Sequence, residues 1–178
     1  MIAQLLTGTR LLLVVPFFLW MLREQAALAA IAIVVAIVTD LLDGVAARRA
    51  GTASAAGRLF DHATDFAFVS AGLIALVLRG LAPWLLPLLV AVAFSQYLID
   101  SYWLHRQREL RMSWLGRWNG VLYFVPACVD VGGRLLGVSL AAPLGWICWG
   151  LAVSTVLSIV DRLTALRSTS RTAPDSRA

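Results

Sequence analysis

The chain is poor in charge. Only 14% of its 178 residues are charged against 60% that are hydrophobic, and lysine is absent, so all fifteen basic residues are arginine. With a mean hydropathy of +0.82, so few charges cannot cover the surface of a water-soluble domain of this size. That excludes an ordinary cytosolic globule, a disordered chain and a nucleic-acid-binding module. The two cysteines, Cys128 and Cys148, lie in apolar runs without zinc or redox spacing and read as packing residues. No internal repeat and no second domain is visible. A net charge of +5 would point to a polyanionic partner in a soluble protein; in a membrane protein it reflects arginines gathered in cytoplasmic loops.

What the chain does have is long apolar runs. A membrane helix takes about 20 mostly apolar residues, and six stretches qualify: 5–22, 26–46, 57–78, 82–104, 118–137 and 141–163. They predict an all-α integral membrane bundle of six transmembrane helices, with a short amphipathic N-terminal segment over 1–10 lying along the interface. Residues 1–163 make one membrane domain and 164–178 a flexible cytoplasmic tail. Every arginine except Arg23, Arg79 and Arg134 falls on one side of this arrangement. The bias places both termini in the cytoplasm of a multi-pass inner-membrane protein. A signal peptide cleaved near Ala29 is the rival reading of the N-terminus, but losing the first span would set the arginine-rich loops against the termini. Pro16, Pro87 and Pro126 are expected to kink their spans. Gly116-x3-Gly120 and Gly133-x3-Gly137 are expected to be close-packing sites.

Four of the ten acidic residues fall within 26 positions: Asp40, Asp43, Asp61 and Asp65. Ionisable residues at the ends of membrane helices are costly and usually mark function. Asp40 and Asp43 are three apart, Asp61 and Asp65 four apart, so each pair lies on one helix face. The short connection predicts that the two helices are antiparallel neighbours, which brings four carboxylates into one pocket at the cytoplasmic interface. Bare anions cannot share such a pocket: some must protonate, or a cation must neutralise them. Pairing with Arg48, Arg49 and Arg58 accounts for one or two of the four. An all-oxygen set without Cys or His suits Mg²⁺ or Mn²⁺, and two such ions commonly serve phosphoryl chemistry. Gly44, Ala47 and Gly57 let a ligand approach the helix backbone, although small residues also serve helix packing. Arg48 offers a fork matched to phosphate.

Read in order, these residues are Asp40-x2-Asp43-Gly44-x2-Ala47-Arg48-x8-Gly57-x3-Asp61-x3-Asp65. The pattern resembles the signature of the CDP-alcohol phosphatidyltransferase family at every fixed residue and gap. Thr7-x2-Arg10 before an apolar run is similar to the family's opening, without its usual Asn-Pro-like lead-in. The resemblance implies a phospholipid-biosynthetic enzyme that binds CDP-diacylglycerol, transfers its phosphatidyl group to an alcohol acceptor and releases CMP. It implies Asp40, Asp43, Asp61 and Asp65 as metal ligands, with Asp65 also the catalytic base. Gly44, Ala47, Arg48 and Gly57 would bind the CDP moiety, and a homodimer is the common assembly. Nucleic acid is not an expected partner.

The acceptor is harder to read. Arg106, Arg111 and Arg117 sit in the stretch expected to face the cytoplasm and are candidates for an acceptor phosphate, with a plain topology-setting loop as the even alternative. Phosphatidylglycerophosphate synthesis from glycerol 3-phosphate is the first specific expectation. Against it, the third aspartate of the motif is followed by His62-Ala63-Thr64 instead of a proline, and the lysine usual for that branch is missing. His62 points about 100° away from Asp61 on a helix and reads as structural. Asp130 and Arg134 read as an intrahelical ion pair. Two other functions compete with the transferase. One is a membrane carrier or ion-binding protein using the acids, which would normally place them at the midplane between repeated halves. The other is a silent membrane subunit, which has no evident need for four adjacent acids.

Overall fold

The computed structural model describes the backbone of residues 2–50, 55–103 and 114–171, and the side chains of 7–42, 57, 59–99 and 118–164. Among the described residues the chain is wholly helical: α1 (Ile2–Leu22), α2 (Ala26–Ala50), α3 (Ala55–Leu78), α4 (Leu85–Trp103), α5 (Trp114–Leu122), α6 (Val125–Leu135) and α7 (Ala141–Arg171). Leu59–Leu78 in α3 and Ala141–Thr164 in α7 are long and apolar enough to cross a membrane. Thr7–Leu22, Ala26–Leu42 and Leu85–Ile99 are shorter apolar stretches.

Several expectations change in detail. The stretch over 1–10 does not lie apart as an interfacial segment: α1 runs unbroken from Ile2, and both Thr7 and Arg10 are buried. The fifth predicted span is two helices. Pro126 has no N–H for the carbonyl of Leu122, so the chain tightens at Tyr123 and Phe124, where Phe124 N–H donates to the Val121 carbonyl at 3.2 Å. Helix α6 then restarts with the proline in its first turn, where no donor is needed. Pro87 likewise sits in the first turn of α4 and not in a kinked interior. Helix α7 continues eight residues beyond the predicted span, into the stretch read as tail. Cys148 belongs to the core, whereas Cys128 is exposed.

The central packing unit is α1, which lies against both α2 and α3. Helix α2 buries a small-residue face, Ala29, Ala32, Ile33 and Ala36, at the 3–4–7 spacing of one helical stripe. Helix α3 meets α1 through Phe68 stacked on Phe17, with ring centroids 4.2 Å apart. Gly72 permits this approach: a Cβ there would lie 3.2 Å from the Phe17 ring. Polar ties join α5 and the turn after it to α7, with Ser154 donating to Asn119 Oδ1 at 2.8 Å and the Tyr123 and Thr155 hydroxyls 2.8 Å apart. The outer faces are strongly apolar, with Leu12, Val15, Leu41, Leu78, Trp146 and Leu157 among many exposed large side chains.

Three helices end at one pole of the bundle with the same cap. At the ends of α1, α3 and α6, a residue with positive φ lets the next N–H reach five residues back: Gln25 to Trp20, Leu81 to Leu76 and Val138 to Gly133, each at 2.9 Å. Glycine fills the left-handed position at Gly80 and Gly137, but Glu24 fills it after α1 with φ 59°. Gly133 and Gly137 therefore build this cap rather than a helix–helix contact, and Gly120 has open space beyond its Cα.

Candidate active site

At the opposite pole, the first turns of α3 present Asp61 and Asp65 one helical turn apart. Asp40 comes from α2. Asp40 and Asp65 each follow a threonine whose hydroxyl is retained by its own helix: Thr39 donates to Val35 and Thr64 to Phe60, at 2.8 and 2.9 Å. Those local bonds keep the neighbouring hydroxyls from competing for the carboxylates. One oxygen from each of Asp40, Asp61 and Asp65 lies within 4.8 Å of the other two. The convergence predicted from spacing is therefore present for three of the four acids.

The way they converge differs from the expectation. Among the described residues, α1 is the helix packed against both α2 and α3, and these two do not form a comparable direct pair. The site is built by three helices, and α1 brings Arg10 into its centre. Arg10 Nη1 donates to Asp61 Oδ1 at 3.3 Å, donates to Asp65 Oδ1, and lies 3.5 Å from Asp40 Oδ1. The Arg10 side chain is wholly buried, while Asp61 and Asp65 keep about a third of their side-chain surface exposed and Asp40 about half. The triad is thus reachable from one side and closed by a cation on the other. Arg10 is the functional residue that motif reading left without a role. Its signal was the Thr7-x2-Arg10 opening together with the expectation that it falls on the same side as the acids.

The donor chemistry fits a hard divalent ion. Three carboxylate oxygens converge without a nitrogen or sulfur ligand, and the cluster already draws a guanidinium among them. Asp40, Asp61 and Asp65 would hold the ion. Asp43, Gly44, Ala47 and Arg48 fall on the last turns of α2, but their side chains lie outside the described residues, as does that of Arg117 on α5. Arg106 and Arg111 lie outside the described residues altogether. Gly57 stands one turn before Asp61 at the start of α3. His62 packs edge-on against Tyr97 of α4, with ring centroids 5.2 Å apart.

A second charge cluster occupies the capped pole. The expected Asp130–Arg134 pair is formed, and Arg79 also donates to Asp130, at 2.8 Å, a contact that sequence spacing could not reveal.

Comparison with known proteins agrees with this architecture. The family model described as CDP-alcohol phosphatidyltransferase matches residues 1–156. A cardiolipin synthase (CMP-forming) from Streptomyces coelicolor is 30% identical over 149 residues, covering 76% of this chain and 69% of the relative. No solved structure gives a significant match. The family match begins before Arg10 and contains the whole triad, so it covers every element of the site. It separates the enzyme reading from the carrier and the silent subunit: the chain belongs to the CDP-alcohol phosphatidyltransferase family and is a transferase acting in phospholipid head-group transfer.

Proposed function

We propose that the protein transfers the phosphatidyl group of CDP-diacylglycerol to an alcohol at the triad, releasing CMP. The observation that carries this is the meeting of Asp40, Asp61 and Asp65 around Arg10, open on one side. Phosphoryl transfer is mainly positioning and charge neutralisation, and this cluster provides both. The acceptor oxygen bonds to the phosphatidyl phosphorus as the bond from that phosphorus to the CMP oxygen breaks. CMP leaves with the electron pair of that bond. Asp65 takes the acceptor proton. Arg10 holds Asp61 and Asp65 in one orientation. Gly44, Ala47, Arg48 and Gly57 bind the CDP moiety, and Asp43 completes the acidic set. A bound Mg²⁺ or Mn²⁺ pair supplies positive charge against the diphosphate.

The apolar outer faces support a bilayer setting, since a water-exposed surface rarely carries so much contiguous apolar area. In the full reading, six spans cross the inner membrane, both termini are cytoplasmic, and two copies associate. The diacylglycerol tails then stay in lipid while the nucleotide enters from the cytosol. For the acceptor, the Streptomyces coelicolor relative favours phosphatidylglycerol, which would make cardiolipin the product. The absence of lysine and of a proline after Asp61 also weighs against glycerol 3-phosphate, which remains the second reading with Arg106, Arg111 and Arg117 as its phosphate ligands.

The test incubates the purified protein with CDP-diacylglycerol and a panel of acceptors, then identifies the lipid by mass spectrometry. Cardiolipin from phosphatidylglycerol supports the first reading, and phosphatidylglycerophosphate from glycerol 3-phosphate the second. No CMP release with any acceptor would overturn the assignment.

A further inference from the structure

The pole opposite the triad holds a cavity of about 240 Å³ lined by Glu24, Arg79, Asp130, Arg134, Ser139 and an apolar wall from Leu81 to Leu144. It is a separate place: along α1, the twelve residues from Arg10 to Leu22 span about 18 Å. Its buried charges do not balance. Asp130, 6% exposed, accepts from both Arg79 and Arg134, which are themselves 12% and 17% exposed. The remaining partner, Glu24, reaches Arg79 Nε at 3.3 Å from a side chain that is 64% exposed. The buried set is therefore two guanidinium groups against one carboxylate. Arg134 Nε and Nη1 are buried without a hydrogen-bond acceptor. Leaving such donors unmet inside a protein costs free energy, so the cluster is not internally satisfied.

The backbone adds to this. Ala141, at the N-terminus of the long helix α7, also lines the cavity, and the first N–H groups of a helix have no carbonyl partner within it. Glu24 supplies the last sign. It sits in a left-handed cap where the equivalent positions of α3 and α6 carry glycine, a conformation that costs a side-chain-bearing residue about 1 kcal/mol or more. A residue that breaks the local rule at a cavity rim, on a weak and exposed bond, is suited to be displaced by a competing anion.

From these observations we infer that this cavity binds a singly charged phosphate group: one negative charge matches the buried excess, and the Arg134 guanidinium lines the cavity. The apolar wall of Leu81, Val138, Leu140 and Leu144 favours a phosphodiester carried on a lipid over a free ion. The site is independent of the triad and of the reaction assigned to it.

The experiment follows thermal unfolding of the full chain in an uncharged maltoside detergent. The probes are dihexanoyl phosphatidylmethanol, an anionic phosphodiester with no acceptor hydroxyl, inorganic phosphate, and dihexanoylglycerol, which lacks the phosphate. Phosphatidylmethanol is expected to raise the unfolding temperature saturably, and dihexanoylglycerol to leave it unchanged. Arg134→Gln should weaken binding about tenfold or more. Because that variant also disturbs the bond to Asp130, Ser139→Glu serves as the second arm. It leaves the Arg79–Asp130–Arg134 contacts in place, adds a negative charge at the rim, and should abolish the shift while unfolding alone near the wild-type temperature. Asp61→Asn should keep the full shift, which separates this site from the triad. An equal shift with inorganic phosphate supports the anion site and assigns it to free phosphate. No saturable shift, or a shift that survives both Arg134→Gln and Ser139→Glu, overturns the inference and leaves the cluster as a brace between helix ends.

Discussion

Arg10 Nη1 lies 3.3 Å from Asp61 Oδ1, across 51 positions of chain. This contact ties α1 to α3 at the site and sets its charge. Three carboxylates around one guanidinium leave a formal excess of two negative charges, the complement of one divalent ion. Burying the arginine completely while leaving the aspartates partly exposed directs that excess toward the open side.

Replacing Arg10 with Gln should therefore have an effect that depends on metal. Without the guanidinium the three carboxylates repel one another. The variant should lose about 1–3 kcal/mol in a chelating buffer, the partial exposure of the acids holding the loss below that of a fully buried pair. Mg²⁺ should recover more stability in Arg10→Gln than in the wild type, because the ion then has the carboxylates to itself. Thermal unfolding in EDTA and in Mg²⁺ measures both. Equal metal responses would mean that ion and guanidinium do not share the same oxygens.

Asp61→Asn and Asp65→Asn should each lower CMP release about 100-fold or more, since each removes a charge from the transfer site and the second also removes the base. Both should unfold near the wild-type temperature, because an amide keeps the shape and one acceptor oxygen for Arg10. Wild-type turnover in both variants would sink the site assignment.

Chelation should stop turnover, and Mg²⁺ or Mn²⁺ should restore it, whereas Ca²⁺, larger and less strict in geometry, should restore it less well. Full activity in excess EDTA would count against the ion-holding role of Asp40, Asp61 and Asp65.

Much of this was legible in the sequence for a physical reason. Hydropathy reports local burial, so the apolar runs over 26–46 and 57–78 match the starts and ends of α2 and α3 to within a few residues. The i, i+4 spacing of Asp61 and Asp65 is a property of one helix and was sufficient to place both on one face. What escaped was non-local. The short link between α2 and α3 argued for direct neighbours, but Ala29, Ala32 and Ala36 make α2 slim enough to pack closely, and Phe17 and Phe68 stack α1 onto α3. Helix α1 thereby takes the position between them, with Arg10 in its N-terminal half. The same holds at Asp130: spacing four gave its pair with Arg134, while Arg79, 51 positions earlier, carries no periodic signal. The division of the fifth span needed the context of Pro126, since proline in an apolar run is compatible with either a kink or a restart.

The adjoining glycines Gly132 and Gly133 make a paired test of the capped pole. A Cβ on Gly133 would come within 2.9 Å of the Val138 carbonyl oxygen and 3.1 Å of Leu140, whereas a Cβ on Gly132 meets nothing within 4 Å. Alanine also gains up to about 1 kcal/mol over glycine inside a helix. Gly132→Ala should thus be neutral or stabilising. Gly133→Ala should cost about 1–3 kcal/mol, because the oxygen it strikes is backbone, held by the cap in which Val138 N–H returns to Gly133 at 2.9 Å. Yielding there would reopen the cap and shift Ser139 and Leu140 at the wall of the phosphate cavity. Thermal unfolding of the two variants side by side decides it. Equal unfolding temperatures would mean that α6 does not end in the turn described, and the cavity built on that turn would lose its wall.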